Sequence, residues 1–227
     1  MINPGLYQMV GYWAMEGADS ANESPLFGNI TLNNYNSVGT ATGKINSGRD
    51  FEKGQSDYFI TSGVPNIGTG DLTVGFWWKP EAVDGVRQVL HNFYGTGGFR
   101  FRVDTTNKID FSIHNGTVFG TVAVWSNIVV TGTWYYVVGW YDGAGQKVYL
   151  NVNEGTPVNV AHTTGMGAVS TNMYVGQSAA GTYFADGVMD ELFIYRRILS
   201  ADERSWFYNS GNGRGFSQLM KGQVILL

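Results

Sequence analysis

Gly187-Val-Met-Asp-Glu-Leu-Phe-Ile-Tyr-Arg-Arg-Ile-Leu-Ser-Ala-Asp-Glu-Arg-Ser-Trp-Phe-Tyr-Asn-Ser-Gly211 reads as a strand that turns into a helix. Val188, Asp190, Leu192 and Ile194 fall on one side of a period-2 pattern and Met189, Glu191, Phe193 and Tyr195 on the other. Both sides carry apolar groups to cover, as in a strand buried on two faces. The pattern breaks at Ser200, and Glu203 follows three residues on, the spacing of a capping box in which each side chain takes a free backbone N–H. Gly211 is the expected stop.

Outward from this stretch the chain reads almost entirely as β-structure. Leu72, Val74, Phe76 and Trp78 make a strong core stripe, opposite Thr73, Gly75, Trp77 and Lys79. Residues 86–114 hold three expected strands, Val86 to Phe93, Phe99 to Val103 and Lys108 to His114. In the last two, Phe99, Phe101, Val103, Ile109, Phe111 and Ile113 face inward, opposite Arg100, Arg102, Asp110 and His114. A hairpin follows, with Tyr135, Val137, Gly139 and Tyr141 on the core side, Tyr136, Val138 and Trp140 on the other, and Val148, Leu150 and Val152 in its second arm. Val10 to Glu16 reads as the first strand, with a polar loop over 17–25, and Met173 to Gly176 as the last short strand before Gly187. Asn29 to Val38 and Lys44 to Phe59 alternate weakly, as edge strands do.

Composition sets further bounds. The 227 residues suit one large β-sandwich domain over 1–227, with its core at about 10–211 and a tail at 212–227. Thirty-two glycines, 15% aromatic and only 14% charged residues suit many strands, tight turns and an aromatic core. A net charge of -4 argues against nucleic acid, which needs clustered Lys and Arg. The absence of cysteine excludes disulfides and thiolate chemistry. The N-terminus has neither a basic region nor an apolar one of signal-peptide kind, and no run approaches the ~18 apolar residues of a membrane span, so membrane insertion is not expected.

Asp190-Glu-Leu-Phe-Ile-Tyr-Arg-Arg-Ile-Leu-Ser-Ala-Asp-Glu with Tyr208-Asn-Ser-Gly resembles the C-terminal signature of laminin-G-like domains of the concanavalin A-like lectin/glucanase superfamily. Gly70-Asp-Leu-Thr-Val-Gly-Phe-Trp-Trp-Lys-Pro80 resembles that family's central strand, and Thr133 to Gly143 with Lys147 to Asn153 its hairpin. The resemblance spans roughly residues 10–211 and implies an antiparallel β-sandwich of jelly-roll type, with first and last strands side by side and one short C-terminal helix. It specifies a fold better than an activity, since such folds host lectins, glycosidases, adhesion modules and viral surface proteins.

Catalysis is not expected. A glycosidase needs two carboxylates about 5 to 10 Å apart across one bond, and the Glu-x-Asp-x-x-Glu spacing of the family's glucanases does not occur. Asp190 and Glu191 are adjacent, which on a regular strand sends them to opposite faces. The three histidines, His91, His114 and His162, are not spaced as a zinc pair and read as surface or loop residues. Calcium is the ion that fits: Glu16, Asp19 and Asp190 converge if first and last strands are neighbours, and they offer the hard oxygens it takes; the competing reading is that no ion is bound and Asp190 accepts backbone N–H bonds at the rim of the sandwich. The resemblance implies such a structural calcium, although Asp19-Ser-Ala-Asn-Glu lacks the glycines that relatives place after this Asp.

The expected ligand platform combines Trp77, Tyr136 and Trp140 with Arg100, Arg102, Asp110 and His114, all on non-core faces. Flat rings stack on the C–H faces of sugars while polar groups read hydroxyls. The competing reading is that another subunit or long loops cover this face. The expected function is a non-enzymatic binding or adhesion module on a virion (phage) surface, as a capsid decoration or fibre component, or in an extracellular setting. It would contact a glycan or cell-surface polysaccharide, sister subunits in an oligomer, or other virion proteins. The alternative is a carbohydrate-active enzyme or its detached sugar-binding module.

Overall fold

The computed structural model describes residues 2–17, 23, 25–84, 87–92, 97–178 and 180–221, with the backbone course alone for 87–92. Among these residues the strands are β1 (Met9–Trp13), β2 (Leu32–Tyr35), β3 (Gly39–Thr42), β4 (Ser47–Phe51), β5 (Tyr58–Thr61), β6 (Leu72–Pro80), β7 (Arg87–Asn92) and β8 (Gly98–Val103). They continue as β9 (Ile109–His114), β10 (Phe119–Val124), β11 (Tyr135–Asp142), β12 (Lys147–Val152), β13 (Val158–Ala161), β14 (Met173–Val175) and β15 (Gly187–Tyr195). Two short helices follow, α1 (Ala201–Tyr208) and α2 (Phe216–Leu219). The chain is therefore the expected all-β antiparallel sandwich with a short C-terminal helix.

The first sheet runs β13-β12-β11-β6-β15-β4-β3, with β1 also joined to β15; the second runs β10-β9-β8-β7-β14-β5-β2. β15 is the hub. β6 lies along one of its edges; on the other, β4 pairs with its first half and β1 with its second. First and last strands are thus neighbours, as the jelly-roll expectation requires.

Two apolar cores result. The inner one, between the sheets, takes Leu72, Val74, Phe76 and Trp78 from β6, the Phe99, Phe101 and Phe111 side of β8 and β9, and Val137, Val148 and Leu150 from the hairpin. The second lies on the outer face of the first sheet, where Trp77, Tyr136, Val138, Trp140, Phe193 and Tyr195 meet Trp206 and Phe207 of α1 and Leu219 of α2. A sheet apolar on both faces must be covered on both, and the C-terminal segment supplies the cover. Gly75 permits a close approach: a Cβ there would stand 2.2 Å from the Phe193 ring.

Ser200 caps α1 as expected, its Oγ accepting from Glu203 N and the Glu203 carboxylate accepting from Ser200 N at 2.8 Å. Ser200→Ala should cost ~1 kcal/mol and lower the melting temperature by about 2 to 4 °C, read by thermal denaturation. The stop differs from expectation. Asn209, at φ 49°, takes the left-handed cap, and Gly211 only closes the 3-10 turn that follows.

Other differences are of extent. The first strand ends at Trp13 rather than Glu16. The weak stretch 44–59 resolves into β4, a 3-10 turn and the start of β5; both strands are interior, whereas β2 and β3 are the edges. Val86 and Phe93, the expected ends of one strand, lie outside the described residues, and Arg87–Asn92 forms β7 between them. β10 and β13 were not expected.

Candidate functional site

Trp77, Tyr136 and Trp140 do project away from the inner core, but they are 2%, 1% and 6% exposed. Tyr208 stacks on Trp77 at 5.9 Å, Tyr149 stacks on Trp140 at 4.8 Å, and the Arg204 guanidinium covers Trp140 at 4.1 Å from the ring centre. The expected open aromatic platform is therefore corrected. These rings are closed over by this chain's own C-terminal segment, not by a sister subunit, because their face is the floor of the second core.

The polar half of the expected platform lies elsewhere. Arg100, Arg102, Asp110 and His114 sit on β8 and β9 in the second sheet, on the opposite side of the sandwich from Trp77. Period-2 alternation separates inward from outward residues but does not say to which sheet a strand belongs. His114 and His162 are buried, at 4% and 2% exposure, rather than surface residues. His114 stands edge-on to Phe119, and His162 packs edge-on to Tyr141 with Nε2 2.8 Å from the Gly165 carbonyl. The side chain of His91 lies outside the described residues.

Of the expected cation ligands, Asp19 lies outside the described residues. Asp190 is wholly buried on β15; its Oδ2 accepts from Ile45 N at 2.8 Å and its Oδ1 has no partner. Glu16 accepts from Asn46 Nδ2 at 3.0 Å and Ser47 N at 3.2 Å. The opposite-face expectation for Asp190 and Glu191 fails because β15 bulges between Asp190 and Phe193, with Glu191 at φ 53°. The extra residue turns Glu191 to the same outer side, where it accepts from the Tyr12 hydroxyl.

Burial, then the Glu16 charge, pushes Asp190 up to about 8; burial and the Asp190 charge hold Glu191 well above the ordinary range. Beside them opens a cleft of about 200 Å³, lined by Ala14, Glu16, Ile45, Glu191 and Phe216 among others. An orphaned, buried carboxylate oxygen beside further carboxylates fits a hard cation in chemistry. Among the described residues, though, the set of three carboxylates whose oxygens come within 4.8 Å of one another is a different one, Asp50, Glu52 and Glu81.

The outer face of the second sheet carries aromatics that sequence reasoning missed. Leu32, Phe59, Met173 and Val175 point inward, so Tyr35, Tyr58, Ile60 and Tyr174 point out. Tyr35 stacks on Tyr58 at 4.9 Å and 6°, and Tyr174 follows at 6.1 Å. Tyr35 is 44% exposed, and Tyr58 and Tyr174 are half-buried. Strand registers continue the row of Asn33, Ile60 and Tyr174 across β7 to Arg100 and Ser112. Arg102 Nε donates to Asp110 Oδ2 at 2.7 Å, while Arg100 lies 4.2 Å over the Phe119 ring. Flat rings at one end and a guanidinium at the other thus share one face.

The fold recurs in solved structures. The binding domain of botulinum neurotoxin serotype D superposes with a TM-score of 0.69 at 12% identity, over 89% of this chain and 51% of that one. A native heptameric SAP-like pentraxin from Limulus polyphemus gives 0.55 at 14%, over 70% and 79%. A Trypanosoma rangeli sialidase gives 0.64 at 13%, over 91% and 33%. The chain spans about half the length of the toxin binding domain it matches. No curated protein sequence matches it. A family model described as Concanavalin A-like lectin/glucanases superfamily, of laminin-G type, matches residues 53–203, more than half of the chain and most of the strands above. The chain belongs to the concanavalin A-like lectin/glucanase superfamily.

Proposed function

We propose that the chain is a non-enzymatic carbohydrate-binding module whose ligand lies on the outer face of the second sheet. The observation that carries this reading is the outward-facing tyrosine ladder, exposed Tyr35 and half-buried Tyr58 and Tyr174, in register with polar side chains on the same face. Half-buried rings offer apolar area for sugar C–H faces at little entropic cost. Asn33 and Arg100 in the adjoining row can direct hydrogen bonds to hydroxyls. From β5 to β8 is three strand spacings, roughly 14 Å, which suits an oligosaccharide rather than one ring. That the similar solved structures include the binding domains of a botulinum neurotoxin and of a mosquitocidal protein agrees with binding rather than catalysis.

A structural calcium ion belongs to the same proposal. Asp190, with its unpartnered Oδ1, and the neighbouring Glu16 and Glu191 would hold it and tie β1 to β15, Asp19 being the further ligand expected from sequence.

A glycan array followed by calorimetric titration of the best binder tests the site. Tyr58→Ala and Tyr174→Ala should each weaken binding by about tenfold or more, as truncated aromatic anchors do, with melting temperatures close to wild type. Binding unchanged in both variants would place the ligand elsewhere and overturn the proposal.

A further inference from the structure

The charges on the second-sheet face are unevenly matched. Arg102 is neutralised by Asp110 at 2.7 Å. Arg100, one residue pair along β8, reaches across β9 to lie 4.2 Å over the Phe119 ring of β10, and its Nε is buried without a hydrogen-bond partner. Directly opposite Arg100 in the register stands Ser112, wholly buried, whose Oγ also has no partner. Two adjacent polar groups on one face therefore have unfilled hydrogen-bonding capacity, and one of them is a cation.

The Arg100 Nε has lost water without gaining an acceptor, which is costly. Burial first, then the like charge of Arg102, pushes Arg100 down to about 10. The Phe119 ring beneath it holds the cation but supplies no hydrogen-bond acceptor. The acceptor that best matches a guanidinium is an oxyanion, which offers two oxygens to its planar fork.

We propose that the glycan bound by this face carries an acidic group, a carboxylate or a sulfate, seated on the Arg100 guanidinium. This rests on the reading of the face as carbohydrate-binding. The occupant is a singly charged sugar unit rather than a polyanion, because the chain has a net charge of -4 and the paired Asp110 lies beside the site. Tyr174 stands in the same cross-strand row, two strand spacings or roughly 10 Å away. A neighbouring sugar ring can therefore stack on the tyrosines while the acidic unit meets Arg100.

The test uses the full chain on an array holding neutral, uronic-acid, sialylated and sulfated glycans. The strongest acidic binder is then titrated beside its uncharged counterpart, methyl-esterified or desulfated. The acidic form should bind about tenfold tighter or more, as a charge-assisted bidentate contact gives. Arg100→Gln should abolish that preference, and Arg100→Lys, which keeps the charge but loses the fork, should restore part of it. Raising the salt to 0.5 M should weaken the acidic ligand and spare the neutral one, a readout that needs no variant. Whether uronates and sialosides or sulfated sugars lead separates the two sources of the anion.

Equal affinity for charged and uncharged forms, unaltered by salt, would overturn this inference and leave the tyrosine face standing. An acidic preference untouched by both Arg100→Gln and Tyr58→Ala would overturn the inference and the face together, as would an array without signal.

Discussion

Trp77→Ala should lower the melting temperature by about 6 to 20 °C, through the ~3 to 5 kcal/mol typical of emptying a buried tryptophan site. Trp77 is only 2% exposed and is held by Tyr136 at 5.2 Å, Tyr208 at 5.9 Å and the Lys44 ammonium at 4.6 Å. Its loss takes the floor from under α1, whose Tyr208 stacks on Trp77 and Tyr136 alike. The C-terminal segment should then become the first site of limited proteolysis, since local opening follows the contacts that hold it. Sugar binding by the fraction still folded should be unchanged, because Trp77 faces away from the second sheet. A melting temperature near wild type, or a selective loss of binding, would show that this ring faces solvent after all.

Both faces of β6, β11 and β15 were legible in the sequence because each strand carries apolar residues at odd and even positions alike. The same fact hid what covers the outer face. Trp206, Phe207 and Tyr208 sit on a helix placed correctly by the Ser200–Glu203 box, yet where that helix lies is set by tertiary packing, which no local pattern encodes. The polar stripe of Arg100, Arg102, Asp110 and His114 was found, and its sheet was not: alternation reports depth and is silent on partners. Tyr35, Tyr58 and Tyr174 come from three strands that read weakly or briefly and are far apart along the chain, so only the pairing of β2, β5 and β14 brings their rings together. The bulge at Glu191 had no sequence sign, because the left-handed position falls on glutamate where glycine would have announced it. β10 and β13 escaped because most of their residues are at least partly exposed, which blurs the alternation.

That bulge sets the remaining large effect, a stability that falls as pH rises when calcium is withheld. Asp190, 0% exposed, is pushed up to about 8, and Glu191 beside it is also held above its ordinary value by burial and by Asp190 itself. In the unfolded chain both ionise near pH 4. The native state therefore keeps protons that the unfolded state has released, and the stability this gives is fully present below about pH 4. It is lost as pH climbs through the native value near 8. Each retained proton contributes up to ~1.4 kcal/mol per pH unit in that window. Asp104 and Glu203, whose carboxyls are lowered by hydrogen bonds, work the other way in acid, so the pair is read as a difference between wild type and Asp190→Asn. In chelator, Asp190→Asn should gain on wild type by several °C between pH 5 and 8, because the amide cannot ionise in its buried site. Saturating calcium should close that gap by stabilising wild type at pH 8, since an ion bound only by the native state adds stability by mass action, and it should leave Asp190→Asn nearly unmoved. A gap that stays constant across the whole pH range would show that these carboxylates are not held protonated in the native state. A gap that opens with pH yet ignores calcium would keep the buried acid pair and remove the ion from this site.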